Sequence, residues 1–273
     1  MTEFGSLANP IDVQNAAEAI AAGGYVAIQY HGVFIMVFSG VNLDARQATL
    51  RVKNEDDSGK PLSSISYSQY VFPSVDMELV QQSDIRELLS DVHRFQRTIG
   101  TMCHLRLPLK RSAVGAEIPS HMISLKDGTP YVQNLDPSGN LLFANFSHDV
   151  NDMGVHLIAA SSLNLQGEEE ICDLPEAKRF CEERGVPYLL HDPLYARSEV
   201  KGSFPVIDSV DGSALREGHI PMQLIENLLG VALNKTNLQP AKHPHARHLL
   251  EMCGQPLMGS QLREGILNYL YGR

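Results

Sequence analysis

The sequence predicts a mixed α/β (α+β) fold, and three observations carry that prediction. Short apolar runs of strand length alternate with helical stretches along the whole chain. The turn residues Gly, Pro, Asn and Asp separate most of them. At 273 residues with 43% hydrophobic and 20% charged content, the chain can bury a large core.

The elements follow in order. Residues 11–22, with Asp12, Asn15 and Glu18 beside an Ala-rich face, predict a helix stopped by Gly23-Gly24. Strands are predicted over 25–29 and 33–38, joined by the turn Tyr30-His31-Gly32. Asp44 is a candidate N-cap for a helix over 45–53. Residues 54–59 read as a loop and 64–70 as a strand. Ile85, Leu88, Leu89 and Val92 have helical spacing, which predicts one helix over 83–95. A strand is expected over 102–109. Residues 110–154 read as turns and a hairpin pairing 131–135 with 140–146, decorating the sheet rather than forming its centre. Beyond a strand over 155–160, a helix over 174–184 ends at Gly185, and strands follow over 187–191 and 203–208. Helices are expected over 222–233 and 260–271. This divides the chain into a main domain, 1–221, and a helical C-terminal extension, 222–273.

Composition narrows the function classes. No apolar run approaches the roughly 18 residues of a membrane helix, and the first residues show no secretion signal, so a cytoplasmic protein is expected. Cys103, Cys172, Cys181 and Cys253 are dispersed, which suggests reduced thiols without a disulfide framework or zinc site. A net charge of −10 argues against binding nucleic acid through a general positive field. Arg94, Arg97, Lys110 and Arg111 are the best candidates for a local basic patch. The His243–His248 stretch with Cys253 holds ligand-type residues without a familiar metal spacing, and reads as a surface loop. Neither a P-loop nor a dinucleotide fingerprint is present.

The most informative stretch is Ser161-Ser162-Leu163-Asn164-Leu165-Gln166-Gly167-Glu168. It sets small hydrogen-bonding side chains at the carboxyl end of an apolar strand, where open α/β sheets bind ligands. The same residues also make ordinary turns. Their order within the chain adds information: Lys53, then Lys60-Pro61-Leu62-Ser63, then the octet, a Ser203-to-Asp208 strand and Leu215-Arg216-Glu217-Gly218.

Over roughly residues 12–221 this set resembles the threonylcarbamoyl-AMP synthase (YrdC-like) family, with its Lys-x-Arg, Lys-Pro-Leu-Ser, Ser-Ala-Asn and Leu-Arg-x-Gly segments. The resemblance implies a twisted mixed sheet with surrounding helices and a large concave cavity. It implies ATP as a substrate with Mg²⁺, an amino acid and bicarbonate as co-substrates, and a place in tRNA modification. It assigns nucleotide binding to Lys53, Lys60, Ser162, Asn164, Ser203 and Arg216, and the substrate pocket to Tyr30 and His31. No tightly bound cofactor and no resident metal are implied.

The sequence departs from the pattern at Lys53-Asn54-Glu55, where a carboxylate stands in place of a phosphate-binding guanidinium. Arg51 and Lys110 are candidates to replace it. Gln29-Tyr30-His31-Gly32 stands where the family's threonines are expected. Two readings follow: a nucleotide site with a changed co-substrate, or a non-catalytic module binding double-stranded RNA or a small ligand. A homodimer through the C-terminal helices is a further expectation.

Overall fold

The computed structural model describes residues 2–56, 61–195 and 197–272. Lys60 lies outside the described residues, as does part of the predicted 54–59 loop. One sheet organises the chain. Among the described residues it has eleven strands, ordered β1-β9-β2-β3-β8-β4-β7-β5-β10-β11, with β6 added on β7. The strands are β1 (Glu3–Ser6), β2 (Tyr25–Tyr30), β3 (Val33–Ser39), β4 (Ser63–Ile65), β5 (His104–Pro108), β6 (Ile123–Lys126), β7 (Thr129–Leu135), β8 (Ile158–Ser162), β9 (Tyr188–His191), β10 (Val206–Asp208) and β11 (Ala214–Arg216).

Strand β3 shows why the sheet is covered on both faces. All seven of its residues are buried. Val33, Ile35 and Val37 pack with helices α1 (Pro10–Ala21) and α6 (Leu141–Asp152), whereas Phe34 and Met36 pack against α7 (Leu174–Arg184). Alternate side chains point to opposite faces, so a continuous apolar run is what a doubly covered strand requires. Helix α1 meets this face through Val13, Ala16, Ala17 and Ile20, the i, i+3, i+4, i+7 stripe. Pro10 occupies its first turn and Asn9 caps it, accepting from the Ile11 amide at 3.1 Å.

The other face carries α2 (Leu43–Lys53), α3 (Ser68–Val71), α4 (Ser83–Ser90), α5 (Val92–Thr98), α8 (Met222–Leu229), α9 (Arg247–Met252) and α10 (Gly259–Tyr271). The C-terminal helices bury Leu224, Ile225, Leu249, Leu262, Ile266 and Leu270 in the same core cluster as Leu105 and Ile207 of the sheet.

Several expectations are corrected. Helix α2 is capped by Asn42, whose side chain accepts from the Ala45 amide at 2.9 Å, and Asp44 sits in its first turn. The predicted strand over 64–70 stops at Ile65, because the Asp136 carboxylate accepts from the Ser68 amide at 2.7 Å and starts α3. The single helix over 83–95 is two, since Asp91 is extended and caps α5 through the Arg94 amide at 3.0 Å. The strand over 203–208 begins only at Val206.

The largest error is the hairpin between 131–135 and 140–146. Asn140 caps a helix there, accepting from the Phe143 amide, and Phe143, Phe146 and Val150 form its buried face. Strand β7 instead forms its hairpin with β6 through Asp127-Gly128. It also lies between β4 and β5, inside the sheet rather than decorating it.

Candidate functional site

A cavity of about 310 Å³ opens at the carboxyl end of β8. Pairing sets its floor. Ile35 lies opposite Ser162, and Ser63 lies opposite Ala160. Ile65, Gln133 and His104 extend the floor across β4, β7 and β5, and α2 contributes Arg46 and Leu50. Glu55, Asp56, Ser161, Ser203, Phe204 and Arg216 also line it.

A second cavity of about 350 Å³ shares Ser162, Ser203 and Arg216 with the first and adds Asn164, Glu170, Lys201, His219 and the stretch from Gln239 to His243. Two glycines let the shared wall form. A Cβ on Gly218 would lie 2.2 Å from the Pro205 nitrogen, and one on Gly32 would lie 2.0 Å from the Val200 carbonyl oxygen. No side chain fits at either position.

Of the sequence-predicted residues, Ser162, Ser203 and Arg216 converge on this wall, and Asn164 lines the second cavity beside it. Arg216 is mostly buried, which lowers its pKa, and Glu170 partly offsets that effect. Its Nη2 donates to the Phe204 carbonyl at 2.9 Å, while its Nε has no hydrogen-bond partner. Asn164 is held by its own amide, which donates to the Leu165 and Glu168 carbonyls at 2.8 and 3.0 Å. Ser162 donates to Asn164 Oδ1 at 2.5 Å.

Lys53 is buried behind the wall. Its ammonium donates to Ser161 Oγ at 2.5 Å and pairs with Glu55 at 3.2 Å. The carboxylate that departs from the Lys-x-Arg pattern thus shares the charge of the lysine two residues before it.

Tyr30 and His31 correct the expectation of a substrate pocket, because neither lines either of these two cavities and both are wholly buried. The Tyr30 hydroxyl bonds Thr101 Oγ1 at 2.6 Å. The His31 ring is surrounded by Tyr30, Tyr195, Phe204, His219 and Tyr271. Burial, with His219 adjacent, holds His31 well below the ordinary imidazole value, so it is neutral. It is no candidate for acid–base work at the cavity.

Sequence reasoning missed Arg46, Ser161, Gln133, His104 and Glu170. Arg46 was detectable: Arg46, Leu50 and Lys53 stand at i, i+4 and i+7, one face of α2. Of the proposed replacements for the missing guanidinium, Arg51 is exposed and Lys110 donates to the Pro73 carbonyl at 2.7 Å, so neither lines the cavity. In the expected basic patch, Arg94 is paired with Glu87.

Glu170 is buried. Burial alone would raise its pKa, yet hydrogen bonds from Lys242 and Ser203 bring it below the ordinary carboxylate value. His243 Nε2 lies 3.7 Å from Cys172 Sγ, and His245 Nε2 lies 2.9 Å from the Gly218 carbonyl. Among the described residues no group of three His, Cys, Asp or Glu side chains is placed to share a metal ion, and no helix is long and apolar enough to cross a membrane.

No protein-family model and no curated protein matches this sequence. Solved structures do match. Two are of Sua5 from P. abyssi. A doubly substituted variant is 18% identical with a TM-score of 0.63, over 86% of this chain and 65% of that one. The complex with L-threonine is 16% identical with a TM-score of 0.59, over 91% of this chain and 62% of that one. The chain therefore spans less than two thirds of Sua5. E. coli YciO is 17% identical with a TM-score of 0.57, over 80% of this chain and 96% of its own. Full-length HypF, solved in a phosphate- and nucleotide-bound form, is 18% identical with a TM-score of 0.52, over 72% of this chain and 27% of its own. Likeness at such low identity speaks for architecture, and this chain has the YrdC-like fold of Sua5 and YciO.

Proposed function

We propose that this chain binds a nucleotide of the adenylate class in the cavity between β8, α2 and the 203–204 segment. The observation that carries the reading is Arg216, a mostly buried guanidinium with an unpartnered Nε on the wall shared by both cavities. A mostly buried cation with no carboxylate at ion-pair distance among the described residues gains most from an anionic ligand, through charge-assisted hydrogen bonds. The first cavity has the size of a small-molecule site. HypF, which shares the fold, was solved with a nucleotide.

Adenylate formation of the threonylcarbamoyl-AMP type, with ATP, an amino acid and bicarbonate, asks more of the site. Lys53 already shares its charge with Glu55, and Tyr30 and His31 are in the core. The reading we favour is therefore nucleotide binding with a changed co-substrate. Mg²⁺ would arrive with a triphosphate, whose oxygens supply much of its coordination, and Asp56 is the lining carboxylate available to it.

The test is calorimetric titration with AMP and with Mg·ATP, repeated on Arg216→Met and Asn164→Ala. Saturable binding is expected, weakened at least about tenfold in Arg216→Met, as for loss of a hydrogen bond to a charged group. No heat from either nucleotide at millimolar concentration overturns the reading.

A further inference from the structure

The hydroxyls of the cavity wall differ in what they can offer a ligand, and their neighbours decide the difference. A serine hydroxyl has one proton to give. Ser161 accepts from the Lys53 ammonium, and Ser63 accepts from Gln133 Nε2 at 2.7 Å, so both keep their own proton for the cavity. Ser162 and Ser203 are the reverse. Ser162 gives its proton to Asn164 Oδ1, whose identity as the oxygen is fixed because the amide nitrogen donates to two carbonyls. Ser203 gives its proton to Glu170 at 2.9 Å, and the same carboxylate accepts from the Ser203 amide at 2.9 Å and from Lys242 at 2.8 Å. Toward the cavities Ser162 and Ser203 therefore present lone pairs alone. A lone pair facing an anionic oxygen is repelled, so neither serine is placed to meet a phosphate.

What lies against them must be a donor, and its charge is constrained. Arg216 lines the same wall of both cavities, so a cationic donor beside it is disfavoured and a neutral one is not. A neutral donor next to an anion is the chemistry of a sugar phosphate. Resting on the nucleotide reading above, we propose that Ser162 and Ser203 are specificity-determining acceptors for the ribose hydroxyls, with Arg216 taking the adjacent phosphate. Glu170 acts as a positioning residue by holding the Ser203 proton away from the ligand. The site then reads the sugar through two oxygens aimed by Asn164 and Glu170.

The experiment compares AMP with 2′,3′-dideoxy-AMP by calorimetry, first on the unaltered protein. The dideoxy analogue is expected to bind at least about tenfold more weakly, because a site built to accept a hydroxyl proton leaves its acceptor unpaired without one. In Ser162→Ala and Ser203→Ala the ratio should shrink to about threefold or less, through weaker AMP binding. Glu170→Ala should lose the discrimination as well, and Glu170→Gln, which keeps an acceptor oxygen, should restore it. That rescue separates positioning from general support of the fold. Equal binding of AMP and its dideoxy analogue to the unaltered protein overturns this inference and leaves nucleotide binding standing. Absence of AMP binding overturns both.

Discussion

Acidification from pH 8 to pH 5 should cost this protein several kcal/mol of stability, and the cost should trace to three histidines. His31, His104 and His219 are buried. Burial lowers His104 to about 3, with the Arg216 charge adding to the effect. It lowers His219 to about 4, against hydrogen bonding to Ser203, and pushes His31 well below 6.5. In the unfolded chain each returns to the ordinary value of 6.5. The folded value lies below the unfolded one, so between them the unfolded chain binds protons that the folded chain excludes. Stability is therefore complete above pH 6.5 and falls as the pH drops toward the folded values. At pH 5 the loss is about 2 kcal/mol each for His104 and His219, from the pKa gap traversed at 1.36 kcal/mol per unit, and His31 adds to it in the same direction.

The window is clean of most carboxylates. Glu170 is lowered, so its contribution is lost only at more acidic pH, and Asp192, raised by burial, acts in the opposite direction. The assay is urea unfolding followed by far-UV circular dichroism at pH 8 and pH 5. His219→Gln should recover about 2 kcal/mol of the acid loss, whatever it does to stability at pH 8. A total loss under about 1 kcal/mol, or a loss unchanged by replacing each histidine, would refute the reasoning. The three rings all pack on Phe204, at 5.4, 5.9 and 4.5 Å, so acid should loosen the Ser203 wall of the site first.

Three further outcomes are expected. Tyr30→Phe removes the partner of a wholly buried Thr101 hydroxyl and should cost about 1–3 kcal/mol in urea unfolding at pH 8. Asn42→Ala deletes the cap of α2, the helix that presents Arg46 and Lys53. It should cost about 1 kcal/mol in the same assay and weaken nucleotide binding. Thiol titration of the native protein with an aromatic disulfide reagent at pH 8 should be slow, because burial raises all four thiols, Cys172 to about 11. Fast reaction of even one equivalent would contradict that packing.

What the sequence made legible was periodicity. The α1 stripe, the apolar runs of β2 and β3 and the Gly185 stop of α7 are local signals, and each is found where its residues imply. The failures have tertiary causes. Ser68 starts a helix because the Asp136 carboxylate, 68 residues on, binds its amide. Asn140 caps a helix where Asp136-Pro137-Ser138-Gly139 suggests a hairpin turn, and turn residues alone cannot distinguish the two outcomes. At the site, three predicted residues, Ser162, Ser203 and Arg216, share a wall because β8, the 203–204 segment and β11 converge there. Tyr30 and His31 were misplaced because the groups that enclose them, Thr101, Tyr195, Phe204, His219 and Tyr271, come from distant parts of the chain.

The Lys53–Glu55 pair and the Ser162–Asn164 and Ser203–Glu170 bonds act in one direction. Each takes a group that an anionic polyphosphate would need and commits it to a neighbour. Lys53 gives part of its field to Glu55, and the two serines give away the protons a phosphate oxygen would accept. Glu55 and Asp56 add negative charge to the lining itself. A triphosphate brings more negative charge than the site's cations can balance once Lys53 is shared, whereas a monophosphate can be met by Arg216. AMP should therefore bind at least as tightly as Mg·ATP. In Glu55→Gln, which removes a negative charge beside Lys53 while keeping an acceptor oxygen, the preference should move toward the triphosphate by about tenfold, roughly one charged hydrogen bond. The ratio of the two dissociation constants, measured by calorimetry before and after the substitution, decides it. A ratio that does not move would mean that Lys53 takes no part in setting the charge of the site.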